Sequence, residues 1–307
     1  MKDKEKKTPK RSPLPGKIHP ALIAAWAAIV AVGHMLPTIP ILGTGSTFSL
    51  TSALSPLSGI LFGPIAGALC SAAGGFIGNL IAPHTAWLGM GTFIIGTVTS
   101  FTSGCITWGR WPLVSVNQSG NFIINGGIIV YIIGSILWFT QETGRTVLIY
   151  PIVYYGAGFV ALVFGSLING KAFLHSKKLL KFPALWLSAF GGLIGGATVG
   201  NFFTLLLFKI PRETWLYLSV VSPLERALFS AGAMLIGFPL LIGLPKIGIM
   251  VGPEFPAEFD HSRVVRRGSP PDYSDSVQVP LPEGEKANDG KIYDDNIYDE
   301  KADNSGS

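Results

Sequence analysis

From Ile18 to Gly109 the chain carries no Asp, Glu, Lys or Arg, a run of 92 residues. Soluble domains are about one-quarter charged, so a stretch of this length without a formal charge belongs to helices that cross a bilayer. The charges gather at the ends. Residues 1–20 hold seven Lys/Arg against two Asp/Glu, residues 254–307 hold six against thirteen, and the residues between hold ten basic and three acidic ones. This excludes a soluble enzyme. The chain divides into a basic cytoplasmic arm (1–19), a transmembrane helical domain (20–251) and an acidic cytoplasmic tail (252–307). The tail has too few apolar residues to offset the entropy of ordering, so disorder is expected there.

In hydrocarbon every backbone polar group needs an internal partner, which makes the expected fold an all-α, polytopic membrane helical bundle. Pro, Gly and polar punctuation marks a helix near 20–36, a Gly/Ser/Thr loop at 37–53 and a long segment at 54–82. Further helices are expected near 88–108, 122–140, 147–170, 183–208 and 224–248. A straight helix over 54–82 would rise ~44 Å, more than the ~30 Å hydrocarbon core. Gly63-Pro64 interrupts it, and a proline removes a backbone donor and stops the helix ahead of it. The segment therefore reads as a broken or short pair, giving about eight helical segments in all.

Lys and Arg in short loops stay on the cytoplasmic side. The N-terminal arm and the 171–182 loop, with Lys171, Lys177, Lys178 and Lys181, are both expected inside, and the broken pair supplies the even number of crossings this requires. The expected location is the cell membrane, multi-pass, with both termini cytoplasmic and outer loops at 37–53, 83–87, 141–146 and 209–223. A basic arm before an apolar run also fits a cleaved signal peptide, but the apolar run continues past any small-residue cleavage site, which favours an uncleaved first helix.

Little in the sequence speaks for catalysis. Cys70 and Cys105 have no Cys or His companion at metal-ligand spacing, and His19, His34, His84, His175 and His261 are scattered without a Ser/His/Asp set. Gly191–Gly196 lies inside an apolar span with no preceding strand and no Lys to reach a phosphate. No enzymatic activity, catalytic residue, metal, cofactor or nucleic-acid partner is expected.

The outer loops carry a different signal. Ser46 and Thr47 in the first, Asn79, His84 and Trp87 at the second, Gln141, Glu142 and Arg145 at the third, and Asn201, Trp215, Glu225 and Arg226 around the last would share one end of the bundle. Singly, these read as an interfacial aromatic belt, a loop ion pair or a helix cap. Together they suit a pocket of a few placed polar groups among aromatic walls, open to the outside beneath the 37–53 loop. Trp87 and Trp215 would be its walls, and Arg145 or Arg226 would meet an anionic group. Small residues recur at four-residue spacing as Gly59, Gly63, Gly67 and as Gly192, Gly196, Gly200, which suits close helix packing. Ala21, Ala25 and Ala28 give the first helix a smooth face suited to a transmembrane partner.

The stretches Gly43-Thr-Gly-Ser-Thr-Phe-Ser-Leu50 and Pro56-Leu-Ser-Gly-Ile-Leu-Phe-Gly-Pro-Ile-Ala-Gly67, with Gly74-Gly75 behind them, resemble the substrate-binding S component of energy-coupling factor (ECF) transporters. So do Pro223-Leu-Glu-Arg-Ala-Leu228 and Gly237-Phe-Pro-Leu240. The resemblance covers roughly 21–108 and 184–250; that family has six helices, and residues 122–171 have no assigned counterpart. It implies a protein in membrane lipid that captures a vitamin or other micronutrient as its small-molecule substrate. It also implies a transmembrane coupling subunit docked on the alanine-rich first helix, and a separate ATPase pair. Two other classes fit the composition. A secondary transporter or channel for a small solute would use the break at Gly63-Pro64 but calls for an ionisable residue in mid-helix, which the expected helix bounds do not provide. A non-enzymatic membrane scaffold would use the acidic tail.

Overall fold

The computed structural model describes residues 20–40, 47–109, 114–116, 122–174, 178–208, 210–247, 249 and 251–253. The basic arm and all but the first two residues of the acidic tail lie outside these residues. The helices are α1 (Pro20–Gly33), α2 (Thr51–Phe62), α3 (Pro64–Ile81), α4 (Thr92–Trp108), α5 (Gly126–Thr140), the short α6 (Glu142–Thr146), α7 (Gly156–Leu174), α8 (Lys178–Leu207) and α9 (Arg212–Gly243). Two antiparallel hairpins interrupt them: β1 (Pro37–Pro40) with β2 (Thr47–Ser49), and β3 (Val114–Val116) with β4 (Phe122–Ile124). Five segments are long and apolar enough to cross a membrane: Pro64–Ile81, Gly89–Trp108, Pro151–Asn169, Leu179–Leu207 and Arg212–Ile247. α1, α2 and α5 are apolar but shorter.

Polarity runs inside out. Large apolar side chains such as Ile65 and Leu69 on α3, Ile132 and Ile136 on α5, Phe164 on α7 and Leu224 on α9 are exposed, while Ser58, Ser100, Ser103, Thr107 and Ser188 are fully buried. Several buried hydroxyls of α4 are satisfied locally: Thr102 donates to the Val98 carbonyl at 2.8 Å and Thr107 to that of Ser103 at 2.9 Å, whereas Ser100 Oγ has no partner among the described residues. Such back-bonding lets a helix interior carry Ser and Thr away from water.

The break at Gly63-Pro64 is present and sharp. Gly63 sits at φ 85°, ψ 174°, and Pro64 begins α3. A Cβ on Gly67 would lie 2.6 Å from the Gly59 Cα, so α3 folds back along α2 instead of continuing it. α2 is buried along nearly its whole length, shielded from lipid by its neighbours. α8 is the most enclosed of the long helices and packs on α2, α4, α5, α7 and α9. Its glycines allow the α4 crossing: a Cβ on Gly192 would stand 2.6 Å from that of Ser103.

The connections fall at two ends. At one, the break meets the end of α4, where Trp108 Nε1 donates to the Ile60 carbonyl at 2.9 Å, and Gly252 N–H reaches the Leu61 carbonyl at 2.9 Å. At the other, His34 meets Thr51, and Trp87 stacks on Phe208 with centroids 6.4 Å apart. Thus α1, α3, α5 and α8 run one way, and α2, α4, α7 and α9 the other. Two apolar clusters hold the bundle, one around Trp26, Val30, Leu57 and Leu61, the other around Trp138, Tyr150, Tyr154 and Trp215.

Five expected boundaries are corrected. α8 begins at Lys178 instead of 183 and carries Pro183 inside it, so most of the expected 171–182 loop is helix. The first helix ends at Gly33 instead of 36, and the 37–53 loop contains the β1–β2 hairpin and the start of α2. β3–β4 delays α5 to Gly126. The 147–170 segment opens with a π-type turn at Pro151–Tyr155, Gly156 N–H bonding back to the Pro151 carbonyl, and runs on to Leu174. α9 starts at Arg212 instead of 224, carries Pro223 and Pro239 inside it, and so places Glu225 and Arg226 within the helix and not at its start.

Candidate functional site

A cavity of about 90 Å³ lies beneath the β1–β2 hairpin. Phe48 and Ser49 of β2 cover it, and Thr38 Oγ1 clips the hairpin by donating to the Phe48 carbonyl at 2.9 Å. The walls are His34 after α1, Thr51 and Ser55 on α2, Ser71 on α3, Trp87 before α4, Thr92 and Thr99 on α4, Asn201 on α8 and Arg226 on α9. The lining is thus rich in hydroxyls and holds a single formal charge among the described residues.

Four of the polar wall residues, His34, Thr51, Asn201 and Arg226, are held by their neighbours. Thr51 Oγ1 donates to the Val30 carbonyl at 3.0 Å and lies 2.9 Å from His34 Nδ1, itself 3.0 Å from the same carbonyl. This ties the end of α1 to the start of α2. Asn201 Nδ2 donates to the phenol oxygens of Tyr150 at 2.9 Å and Tyr155 at 3.3 Å. Arg226 Nε donates to the Tyr154 oxygen at 3.0 Å, and its guanidinium lies 4.6 Å from the centroid of the Phe48 ring. Ser71 differs: its Oγ is buried and has no hydrogen-bond partner among the described residues. A buried hydroxyl left without a partner costs free energy, so a group supplied from the cavity would stabilise it.

Of the residues expected from the sequence, Trp87, Asn201 and Arg226 line this cavity. Thr47 sits beside it in β2 with a buried Oγ1 that has no partner among the described residues, and Ser46 lies outside those residues. The others are placed elsewhere. Asn79 is buried with Nδ2 3.5 Å from the Met90 carbonyl, and His84 is exposed. Gln141 Nε2 reaches Thr140 Oγ1 at 3.2 Å, Glu142 is exposed, and Arg145 caps the end of α5 by donating to the carbonyls of Phe139 and Thr140, both at 3.1 Å. Trp215 is buried against Trp138 and Tyr150, with centroids 5.0 Å from each, so it walls an aromatic cluster and not the cavity. Glu225 is half-buried outside the lining.

Sequence reading missed His34, Thr51, Ser55 and Ser71. The available signal was Thr51 and Ser55 at i, i+4, one polar face of a helix inside an uncharged run. On α1, Ala25 and Ala28 are exposed, while Trp26 on the opposite face donates to Ser58 Oγ at 2.9 Å. No group of three or more His, Cys, Asp or Glu able to hold a metal occurs among the described residues. Comparison of the chain with protein-family models, curated proteins and solved structures finds no match.

Proposed function

We propose that this chain is the substrate-capture subunit of an ECF-type transporter, taking a small micronutrient from outside the cell into the cavity beneath the β1–β2 hairpin. The observation that carries the reading is the covered, hydroxyl-rich cavity at one end of an apolar bundle, with the unpartnered Ser71 hydroxyl in its wall. With the lysines between 171 and 181 in the cytoplasm, the hairpin end faces outward. Drug-sized pockets run to roughly 300–1,000 Å³, so the cavity as it stands takes a solute of few heavy atoms, and a full vitamin requires the hairpin to lift. No catalytic role is assigned. The exposed Ala25 and Ala28 face of α1 is the proposed contact with a transmembrane coupling subunit, which an ATPase pair would drive.

Two measurements test this. Detergent-purified protein screened against vitamins, cofactor precursors and small polar solutes is expected to show saturable thermal stabilisation by one of them. Ala25→Leu is expected to reduce co-purification with coupling subunits while the protein stays monodisperse; unchanged assembly returns that face to contact with lipid.

A second reading, secondary transport, is favoured by one observation: α9 carries Arg226 well inside its length, and intramembrane ionisable residues mark solute and ion paths. Uptake that persists in proteoliposomes without any ATPase supports it over the first.

A further inference from the structure

Arg226 is held in place, but no carboxylate hydrogen-bonds to it among the described residues. Tyr154 accepts from its Nε, and Phe48 covers one face of its guanidinium. The two terminal nitrogens have no acceptor among the described residues, and no carboxylate lines the cavity. Glu225, the next residue on the same helix, is near enough to attract the guanidinium, but it forms no hydrogen-bonded ion pair with it and lies outside the cavity lining. A half-buried guanidinium whose terminal nitrogens meet no carboxylate oxygen among the described residues is incompletely paired, and the cavity it lines is where an anionic group can complete it. Ser71, on the α3 wall, adds a hydroxyl that is 1% exposed and unpartnered among the described residues.

We propose that the captured solute is a small carboxylate monoanion, its carboxylate taken by the Arg226 fork and also accepting a hydrogen bond from Ser71. Resting on the solute-capture reading above, this names its ligand class. A planar guanidinium with two free donors matches a carboxylate in a two-pronged geometry. The small size of the cavity, about 90 Å³, favours a compact carboxylate over a drug-sized ligand. Tyr154 is a positioning residue for the arginine.

The test uses the unaltered full chain in detergent and measures saturable thermal stabilisation at constant ionic strength. The probes are acetate, propionate and lactate, their neutral amides, and inorganic phosphate. At least one carboxylate is expected to bind at least tenfold more tightly than its own amide, about what a charged hydrogen-bonded pair supplies. Arg226→Lys, which keeps the charge but loses the planar fork, is expected to weaken that carboxylate about fivefold or more, and Arg226→Gln to abolish the preference for acid over amide. Equal binding of acid and amide overturns the carboxylate assignment and leaves solute capture standing. So does preference for phosphate, or binding of neutral compounds alone. Absence of any saturable ligand, in this set and in the vitamin panel, overturns both readings. The acid–amide comparison is made on the unaltered chain, so misfolding of a variant leaves it decided.

Discussion

At the scale of single residues, the cavity separates groups that hold the fold from groups that have no partner in it. Thr51, Asn201 and Arg226 each donate to a neighbouring oxygen, so changing any of them disturbs packing as well as the cavity. Ser71 makes no hydrogen bond among the described residues, although it is buried. Ser71→Ala should therefore leave the ligand-free melting temperature within the range of a neutral change, about 0.5 kcal/mol, or raise it slightly, because a buried unpaired oxygen is removed. The same variant should lose ligand-induced stabilisation about fivefold or more in affinity. A marked fall in ligand-free stability would mean that Ser71 has a structural partner, and unaltered ligand affinity would move the site away from α3. The sequence showed Asn201, Trp87 and Arg226 because amide, indole and guanidinium groups are conspicuous in an apolar chain. His34, Thr51 and Ser71 were not legible as a set, since only the fold-back of α3 along α2 brings residues so far apart in sequence around one space.

At the scale of elements, the legible features were those with local chemistry. Gly63-Pro64 announced its own break, because a proline without a donor follows a residue free to take φ 85°, ψ 174°. That backbone region is open essentially to glycine alone, so Gly63→Ala is expected to destabilise the purified protein by about 1–3 kcal/mol in thermal unfolding. A variant as stable as the parent would show that the turn relaxes to another geometry. The same reasoning about proline failed for α9, where Pro223 looked like a start and is an interior residue. Membrane helices tolerate proline because neighbouring helices and hydroxyls satisfy the freed carbonyls, and nothing in the local sequence distinguishes a stop from a tolerated kink. That one misplaced boundary hid the mid-helix setting of Arg226. The hairpins were also illegible: β1 and β2 are very short, and the prolines of β1 read as loop.

At the scale of the whole molecule, the distribution of charge between the two ends fixes a testable orientation. Glu142, Glu213 and Glu225 are the only acidic residues between 21 and 253, and α6 and the N-terminal half of α9 carry all three on the hairpin side. Lys171 near the end of α7, Lys178 and Lys181 at the start of α8, and Lys246 just after α9 belong to the opposite end, where Lys181 lies 5.2 Å above the Phe173 ring. Positively charged loops stay in the cytoplasm, so the hairpin, α6 and the cavity mouth are expected outside and the lysine end inside. Single cysteines at Thr146 and Ile247 read this directly: both positions are exposed, and the native Cys70 and Cys105 are buried, which keeps background labelling low. A membrane-impermeant maleimide should label Thr146→Cys in intact cells and Ile247→Cys only after permeabilisation. Labelling of both from outside would mean an even number of crossings between them, where α7, α8 and α9 supply three, and remove the alternating arrangement of helices. The reversed pattern would keep the fold but open the cavity to the cytoplasm, and capture from outside would then have to be abandoned in favour of export or of sensing an internal solute.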